Sequence, residues 1–323
     1  MFQDHKIAYL RKHVKVRKAV PFTMLRTSLA YILGLGTRQI PHASGNVELD
    51  VTPLMYYGRE EQRAVGEPDE ATMNEILFRN EVPKYFSAFF TKAFSHALSH
   101  APCMNSFLDY APYRNGGTLY HAEYINMGIN VHTRYGAVRP VFRNAHLKPL
   151  EQVAREQRDL ARRARNTDPE ELFRGAIKHY LWPSLKELDW RALYPGYIHL
   201  RSLTIDRYKP DPEYLKIPAE EKLSPHEILG ATCSITNVGS KISGHPTVTA
   251  LTPPEVVMLG LGDLKIVPRY VEGKLVPRAV VILSLTIDHR AYDGGEAFPF
   301  LEYIHKYIAD PALIYGWKAG DDI

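Results

Sequence analysis

His289 and Asp293, four residues apart in "SLTIDHRAYDGGEAF" (284–298), are the pair whose types and spacing could move a proton. A free imidazole titrates at about pH 6.5, so at neutrality it is largely unprotonated and can accept a proton. Asp293 lies across a turn and could fix the local geometry by pairing with a buried cation. Alone, a His-x-x-x-Asp pair is weak, because most such pairs are surface decoration. Its setting strengthens it. Ser284, Thr286 and Asp288 alternate with Leu285 and Ile287, the period-two pattern of a strand, and Gly294-Gly295 break that pattern. Ala297, Phe300, Leu301, Ile304 and Ile308 then share one helical face. His289 stands where the strand stops, a place where rigid scaffolds present catalytic groups.

Two other sets of residues could carry chemistry and read more plainly as structure. Cys233 could act as a nucleophile, but in a strand it reads as buried filler. His96 and His100 have the i, i+4 spacing of a metal pair, yet no third ligand lies nearby. They are expected on the solvent side of a core helix.

The elements around this pair are mixed. "PFTMLRTSLAYILGL" reads as a helix with Met24, Leu25, Ser28, Leu29 and Ile32 along one side, closed by Gly34 and Gly36. "HASGNVELDVTPL" alternates through Val47, Leu49 and Val51, and 58–82 reads as a polar loop with a short helix. "KYFSAFFTKAFSHALSHAP" is the clearest helix, and "GGTLYHAEYINMGINVHTRYGAVRPVFRNA" reads as a hairpin turning at Tyr135-Gly136. A charged helix spans about 148–165. Strands are expected near 231–237, 255–261 and 264–271, the last joined to 275–287 through Glu272-Gly273. These elements do not alternate as repeated βαβ units, so the expected class is α+β, a mixed-sheet sandwich.

A chain of 323 residues with 45% hydrophobic and 24% charged residues has an ordinary globular composition. No apolar run of about 18 residues exists, and "MFQDHKIAYLRKH" lacks the apolar core of a secretory signal. Two cysteines give neither a disulfide framework nor metal spacing, so the expectation is a cytoplasmic setting, no metal and no membrane. The net charge of +4 is mild, although Lys6, Arg11, Lys12, Lys15, Arg17 and Lys18 crowd the start against Asp4. Residues 1–19 read as a solvated or partner-bound basic arm, with no recognition motif for nucleic acid.

The stretch "CSITNVGSKISGHPTVTALTPPEVVMLGLGDLKIVPRYVEGKLVPRAVVILSLTIDHRAYDG" resembles the catalytic domain of the dihydrolipoyl acyltransferase component of 2-oxoacid dehydrogenase complexes. The landmarks are Thr-Asn-x-Gly at 236–239, Pro-Pro-Glu-Val at 253–256, Val-Pro-Arg at 276–278 and Asp-His-Arg-x-x-Asp-Gly at 288–294. "IPHASGNVELDVTPL", "YINMGINVHTRYG" and "KLSPHEILGATCSITNVG" resemble further segments in order, so that the likeness covers roughly 20–165 and 220–314. The resemblance implies a chloramphenicol acetyltransferase-like fold, that of coenzyme A-dependent acyltransferases, over 20–323.

It also implies a mechanism. His289 would be a general base that deprotonates the thiol of coenzyme A or of a dihydrolipoyl group, and the thiolate would attack the other carrier's thioester directly. Thr236 stands where the family has a serine whose hydroxyl stabilises the developing oxyanion. Asp293 would pair with an early arginine, at Arg26, and so hold the histidine turn. Asp288, Arg290 and Gly294 would support the turn, and Asn237 and Gly239 would shape the strand exit beside the hydroxyl. Family members form trimers with active sites at subunit boundaries, and larger cores from those trimers, as in the pyruvate dehydrogenase complex.

Three departures qualify the likeness. No lipoyl or subunit-binding domain is seen before the catalytic part, so either a lipoyl group is expected from a separate lipoylated protein or other 2-oxoacid dehydrogenase components, or the thiol substrate is coenzyme A with some different acyl acceptor. Residues 166–219, with Trp182 and Trp190, form an insertion that reads as a packed subdomain or partner surface. Pro299 is tolerable only if the last helix begins near Glu296. The other readings left open are a catalytically idle oligomeric core and a stand-alone small-molecule O- or N-acetyltransferase.

Overall fold

A computed structural model of the chain describes residues 2–79, 81–111, 116–134, 136–186, 197, 208–237 and 251–321. Helices α1 (Phe2–His13) and α2 (Met24–Gln39) lead into strand β1 (His42–Asp50). Three short helices follow, α3 (Thr52–Tyr57), α4 (Glu60–Val65) and α5 (Glu70–Arg79), and then α6 (Phe86–Ser99). Strands β2 (Ser106–Ala111), β3 (Gly116–His121), β4 (Asn126–Ile129), β5 (Val131–Thr133), β6 (Gly136–Val138) and β7 (Val141–Arg143) precede α7 (Leu150–Arg165) and α8 (Pro169–Lys186). After α9 (Pro212–Lys216) come β8 (Cys233–Asn237), β9 (Val257–Val271), β10 (Lys274–Asp288), α10 (Phe298–Ala309) and α11 (Ala312–Tyr315).

Six strands form one mixed sheet in the order β1-β10-β9-β8-β4-β7. Its two outer pairs and β10/β9 are antiparallel, while β8 runs parallel to both β9 and β4. Alternation divides the sheet's faces. Leu283, Leu285, Ile287, Leu259, Leu261, Cys233 and Ile235 share one core with Phe89 and Phe94 of α6 and Phe300 and Ile304 of α10. Ser284, Thr286, Asp288, Ser234 and Thr236 take the other phase. β9 and β10 meet at Glu272-Gly273, both with positive φ (50° and 81°), the geometry that two-residue hairpin turns require.

Several sequence expectations need correction. α2 runs through Gly34 and Gly36 to Gln39 instead of ending at them. A Cβ at Gly36 would lie 3.2 Å from the Leu251 carbonyl, so that glycine serves a close approach within the helix. The 58–82 segment holds two helices, α4 and α5. The strands placed at 255–261 and 264–271 are one, β9. The single hairpin read over 116–145 is five strands, because β3 pairs with β2 whereas β4 joins the main sheet. Tyr135 lies outside the described residues.

His96 is buried, not solvent-facing, because every residue of α6 from Ala88 to Leu98 is buried. Such all-round burial marks a core helix. Pro299 falls in the first turn of α10, where its missing N–H costs nothing.

The start of the 166–219 segment is built into the fold. Asp168 accepts from the Glu170 N–H at 2.9 Å at the head of α8. Glu170 in turn accepts the Leu25 N–H on both oxygens, at 3.2 and 3.0 Å, and so fixes the N-terminus of α2. Trp190 lies outside the described residues.

Candidate active site

The turn after β10 sorts three consecutive side chains by chemistry. Asp288 is buried, and its backbone N–H donates to Val256 O at 2.9 Å. The next N–H, of His289, donates to Pro41 O at 3.0 Å, and that of Ala291 returns to Asp288 O at 2.9 Å. Arg290 folds back on Asp288. Its Nε reaches Oδ1 at 3.0 Å and its Nη2 reaches Oδ2 at 2.6 Å, the two-pronged geometry that suits guanidinium and carboxylate. The Tyr110 ring of β2 lies 4.5 Å beneath that guanidinium. With its neighbours turned inward, His289 turns out and its side chain is 49% exposed.

His289 Nδ1 lies 3.1 Å from Asp293 Oδ1. A carboxylate at Nδ1 assigns the proton there and leaves Nε2 as the free acceptor. Asp293 is 81% exposed and its own N–H donates to Glu296 Oε2 at 3.0 Å. Among the described residues, the expected Arg26–Asp293 pair is not formed within the chain. Arg26 is exposed on α2; its backbone N–H donates to Thr23 Oγ1 at 3.3 Å, and the neighbouring Leu25 N–H is held by Glu170. Gly294 opens the 3-10 turn after Asp293.

Thr236 and Asn237 are half-buried at the end of β8, opposite Gly260 and Leu261 of β9. Gly239 lies outside the described residues. The register places Thr236 level with Ser284 on β10, five residues short of His289. Five residues along the chain and two strand spacings are about 17 Å and about 10 Å, so the backbone positions of Thr236 and His289 stand about 19 Å apart within one chain. The structure joins His289, Asp293, Asp288 and Arg290, and leaves Thr236 away from them.

Cys233 is fully buried, and burial pushes its thiol well above the ordinary range, which removes it as a nucleophile. Among the described residues no cluster of His, Cys, Asp and Glu could hold a metal ion. His96 instead packs in an aromatic cluster with His146, Tyr307 and Trp317. Burial is the main cause that lowers His96 to about 3 and His146 to about 4. Lys92, fully buried one turn before His96, donates to Lys148 O at 2.6 Å and lies 3.5 Å over the Trp317 ring.

Sequence reasoning missed a second polar group beside the site strands. The Ser234 hydroxyl donates to Glu255 Oε2, and Arg139 Nη1 reaches Ser234 Oγ at 2.7 Å and Glu255 Oε1 at 2.9 Å. Its one visible signal was a charged residue set between two prolines and an apolar strand, in Pro-Pro-Glu-Val.

Comparison with known proteins agrees with this architecture. The chain is 24% identical over 290 residues to the dihydrolipoyllysine-residue acetyltransferase component of pyruvate dehydrogenase complex from Bacillus subtilis, covering 90% of this chain and 50% of the relative. It is 27% identical over 241 residues, 74% of this chain and 40% of the relative, to a probable dihydrolipoyllysine-residue succinyltransferase component of 2-oxoglutarate dehydrogenase complex from Schizosaccharomyces pombe. The chain thus spans about half the length or less of these relatives.

Among solved structures, the cubic core of the pyruvate dehydrogenase multienzyme complex superposes with a TM-score of 0.63 at 24% identity, covering 94% of this chain and 95% of that one. A truncated catalytic core from Thermoplasma acidophilum gives 0.57 at 22% identity, covering 91% and 99%. The family model described as 2-oxoacid dehydrogenases acyltransferase (catalytic domain) matches residues 15–176 and 213–315. With that match running over most of its length, the chain belongs to the family of 2-oxoacid dehydrogenase acyltransferase catalytic domains.

Proposed function

We propose that this chain transfers an acyl group between coenzyme A and a dihydrolipoyl-type thiol, at sites that two copies of the chain complete together. The observation that carries the reading is His289, half-exposed on a clamped turn, with Nδ1 held by Asp293 and Nε2 free. The Nε2 lone pair takes the proton of one thiol. The resulting thiolate attacks the carbonyl carbon of the other carrier's thioester. Negative charge gathers on the carbonyl oxygen, where the Thr236 hydroxyl of a neighbouring copy donates. Collapse expels the second thiolate, which takes the proton back from the imidazolium. One S–C bond forms, one breaks, and no enzyme-bound acyl group is needed.

Support for a shared site comes from the backbone separation of about 19 Å between His289 and Thr236 in one chain, more than the two side chains can span to hydrogen-bond distance. A relative solved from Azotobacter vinelandii, a dihydrolipoamide acetyltransferase, had a serine, a histidine and an asparagine four residues past that histidine studied in its catalytic mechanism. His289 and Asp293 keep that spacing. A trimer-based assembly acting with other components of a 2-oxoacid dehydrogenase complex belongs to the same proposal.

The test is loss of thioester from acetyl-coenzyme A in the presence of free dihydrolipoamide. Turnover that disappears in His289→Ala supports the reading. An intact oligomer that never turns over would make the chain a scaffold instead.

A further inference from the structure

Glu255 is a carboxylate with 3% of its side chain exposed, and no step above uses it. It sits in the segment that leads into β9, and three parts of the fold converge on it. Ser234 of β8 donates its hydroxyl to Oε2. Arg139, between β6 and β7, reaches Oε1 at 2.9 Å and Oε2 at 3.2 Å while also donating to Ser234 Oγ at 2.7 Å. The third part is β2, where Phe107 bridges the Glu255 backbone.

The arrangement is a built niche. Gly128, paired with Ser234 across β4 and β8, has no side chain where the Arg139 stem crosses it; a Cβ there would lie 3.0 Å from Arg139 Cδ. Burial pushes the Glu255 carboxyl up, and the Arg139 charge and the Ser234 hydroxyl pull it back. A charge removed from water to this extent is retained only with full pairing, and here both oxygens are engaged.

Position gives the cluster its consequence. Ser234 precedes Thr236 by two residues, so the two side chains share one face of β8. Whatever fixes Ser234 fixes the strand that presents the Thr236 hydroxyl. We propose that Glu255 is a positioning residue, which with Arg139 clamps Ser234 and so sets where Thr236 delivers its hydroxyl. The inference rests on the acyl-transfer reading, since it assigns Glu255 to the hydroxyl half of that site.

Glu255→Gln keeps the size and can still accept from Ser234, but leaves the Arg139 charge unmatched. A displacement approaching 1 Å at a reacting group costs up to about 10²-fold in rate, so kcat is expected to fall by about 10–100-fold with KM little changed. The discriminating readout is the same substitution in a Thr236→Val background. If Glu255 acts by placing that hydroxyl, the second loss shrinks to about threefold or less, because coupled residues are not additive. Equal losses in both backgrounds would mean general loosening of the sheet and would overturn the proposal, as would an unchanged kcat in Glu255→Gln.

If Glu255→Gln does not assemble, Ser234→Ala asks the same question by removing one hydroxyl. A fall confined to kcat and absent in the Thr236→Val background supports the proposal, and full activity overturns it. His289→Ala is the control for the underlying reading. Silence there with an intact Glu255→Gln enzyme sinks the positioning role alone, whereas activity there sinks both.

Discussion

Arg290 grips Asp288 with two hydrogen bonds, Nε to Oδ1 at 3.0 Å and Nη2 to Oδ2 at 2.6 Å, and the residue enclosed between them is His289. The acid is buried and the guanidinium rests on Tyr110, so this pair anchors the turn from inside while the imidazole faces out. Breaking a buried pair from one side costs about 3–5 kcal/mol. Asp288→Asn and Arg290→Ala should each lower unfolding stability in urea by about that amount, and Arg290→Lys should recover little, since a lysine cannot form the two-pronged contact. Stability within about 0.5 kcal/mol of wild type in both would contradict this account.

His289 itself contributes little to the core, with its side chain 49% exposed. His289→Ala should therefore leave melting and assembly mass unchanged while kcat falls by about 10²–10⁴-fold, the usual worth of a placed general base. A variant that melts early would instead make the residue structural.

Asp293 orients the ring through one contact at 3.1 Å. Asp293→Asn keeps an acceptor in place, because the amide oxygen can still take the hydrogen bond from Nδ1, and it should cost less than about tenfold in kcat. Asp293→Ala, which removes the acceptor, should cost more. Steady-state rates of the two variants decide it, and an inverted order would exclude the orienting role.

The buried histidines make stability depend on pH. His96 and His146 titrate in the folded chain at about 3 and about 4, against 6.5 for an ordinary histidine. Between about pH 4 and 6.5 the unfolded chain binds more protons, so stability rises with pH across that window. His96→Phe should reduce the slope of unfolding free energy against pH there by about one proton's worth. The same slope in wild type and variant would mean that His96 is protonated in the fold.

The site turn was legible because its signals are local. Alternation up to Asp288, the glycine pair at 294–295 and the period of α10 all lie within 25 residues. The Glu272-Gly273 turn was legible for the same reason. What stayed hidden depends on distant partners. Gly36 reads as a helix end until Leu251 is seen against it. Nothing near Lys92 and His96 announces that Trp317 and the carbonyls of 146 and 148 will enclose them. Likeness puts Arg26 beside Asp293, whereas the start of its helix is held by Glu170, 145 residues from Leu25. Glu255 gathers Ser234 and Arg139 from 21 and 116 residues away.

The shared site is tested most directly by mixing two impaired proteins, each lacking one half of it. Chains carrying His289→Ala and chains carrying Thr236→Val are unfolded, combined in equal amounts and reassembled, and thioester loss is followed. Sites built from two copies pair an intact His289 with an intact Thr236 in about a quarter of random combinations, so about a quarter of wild-type activity should return. Mixed oligomers, confirmed by mass, with no more activity than either parent would contradict a site completed across two chains.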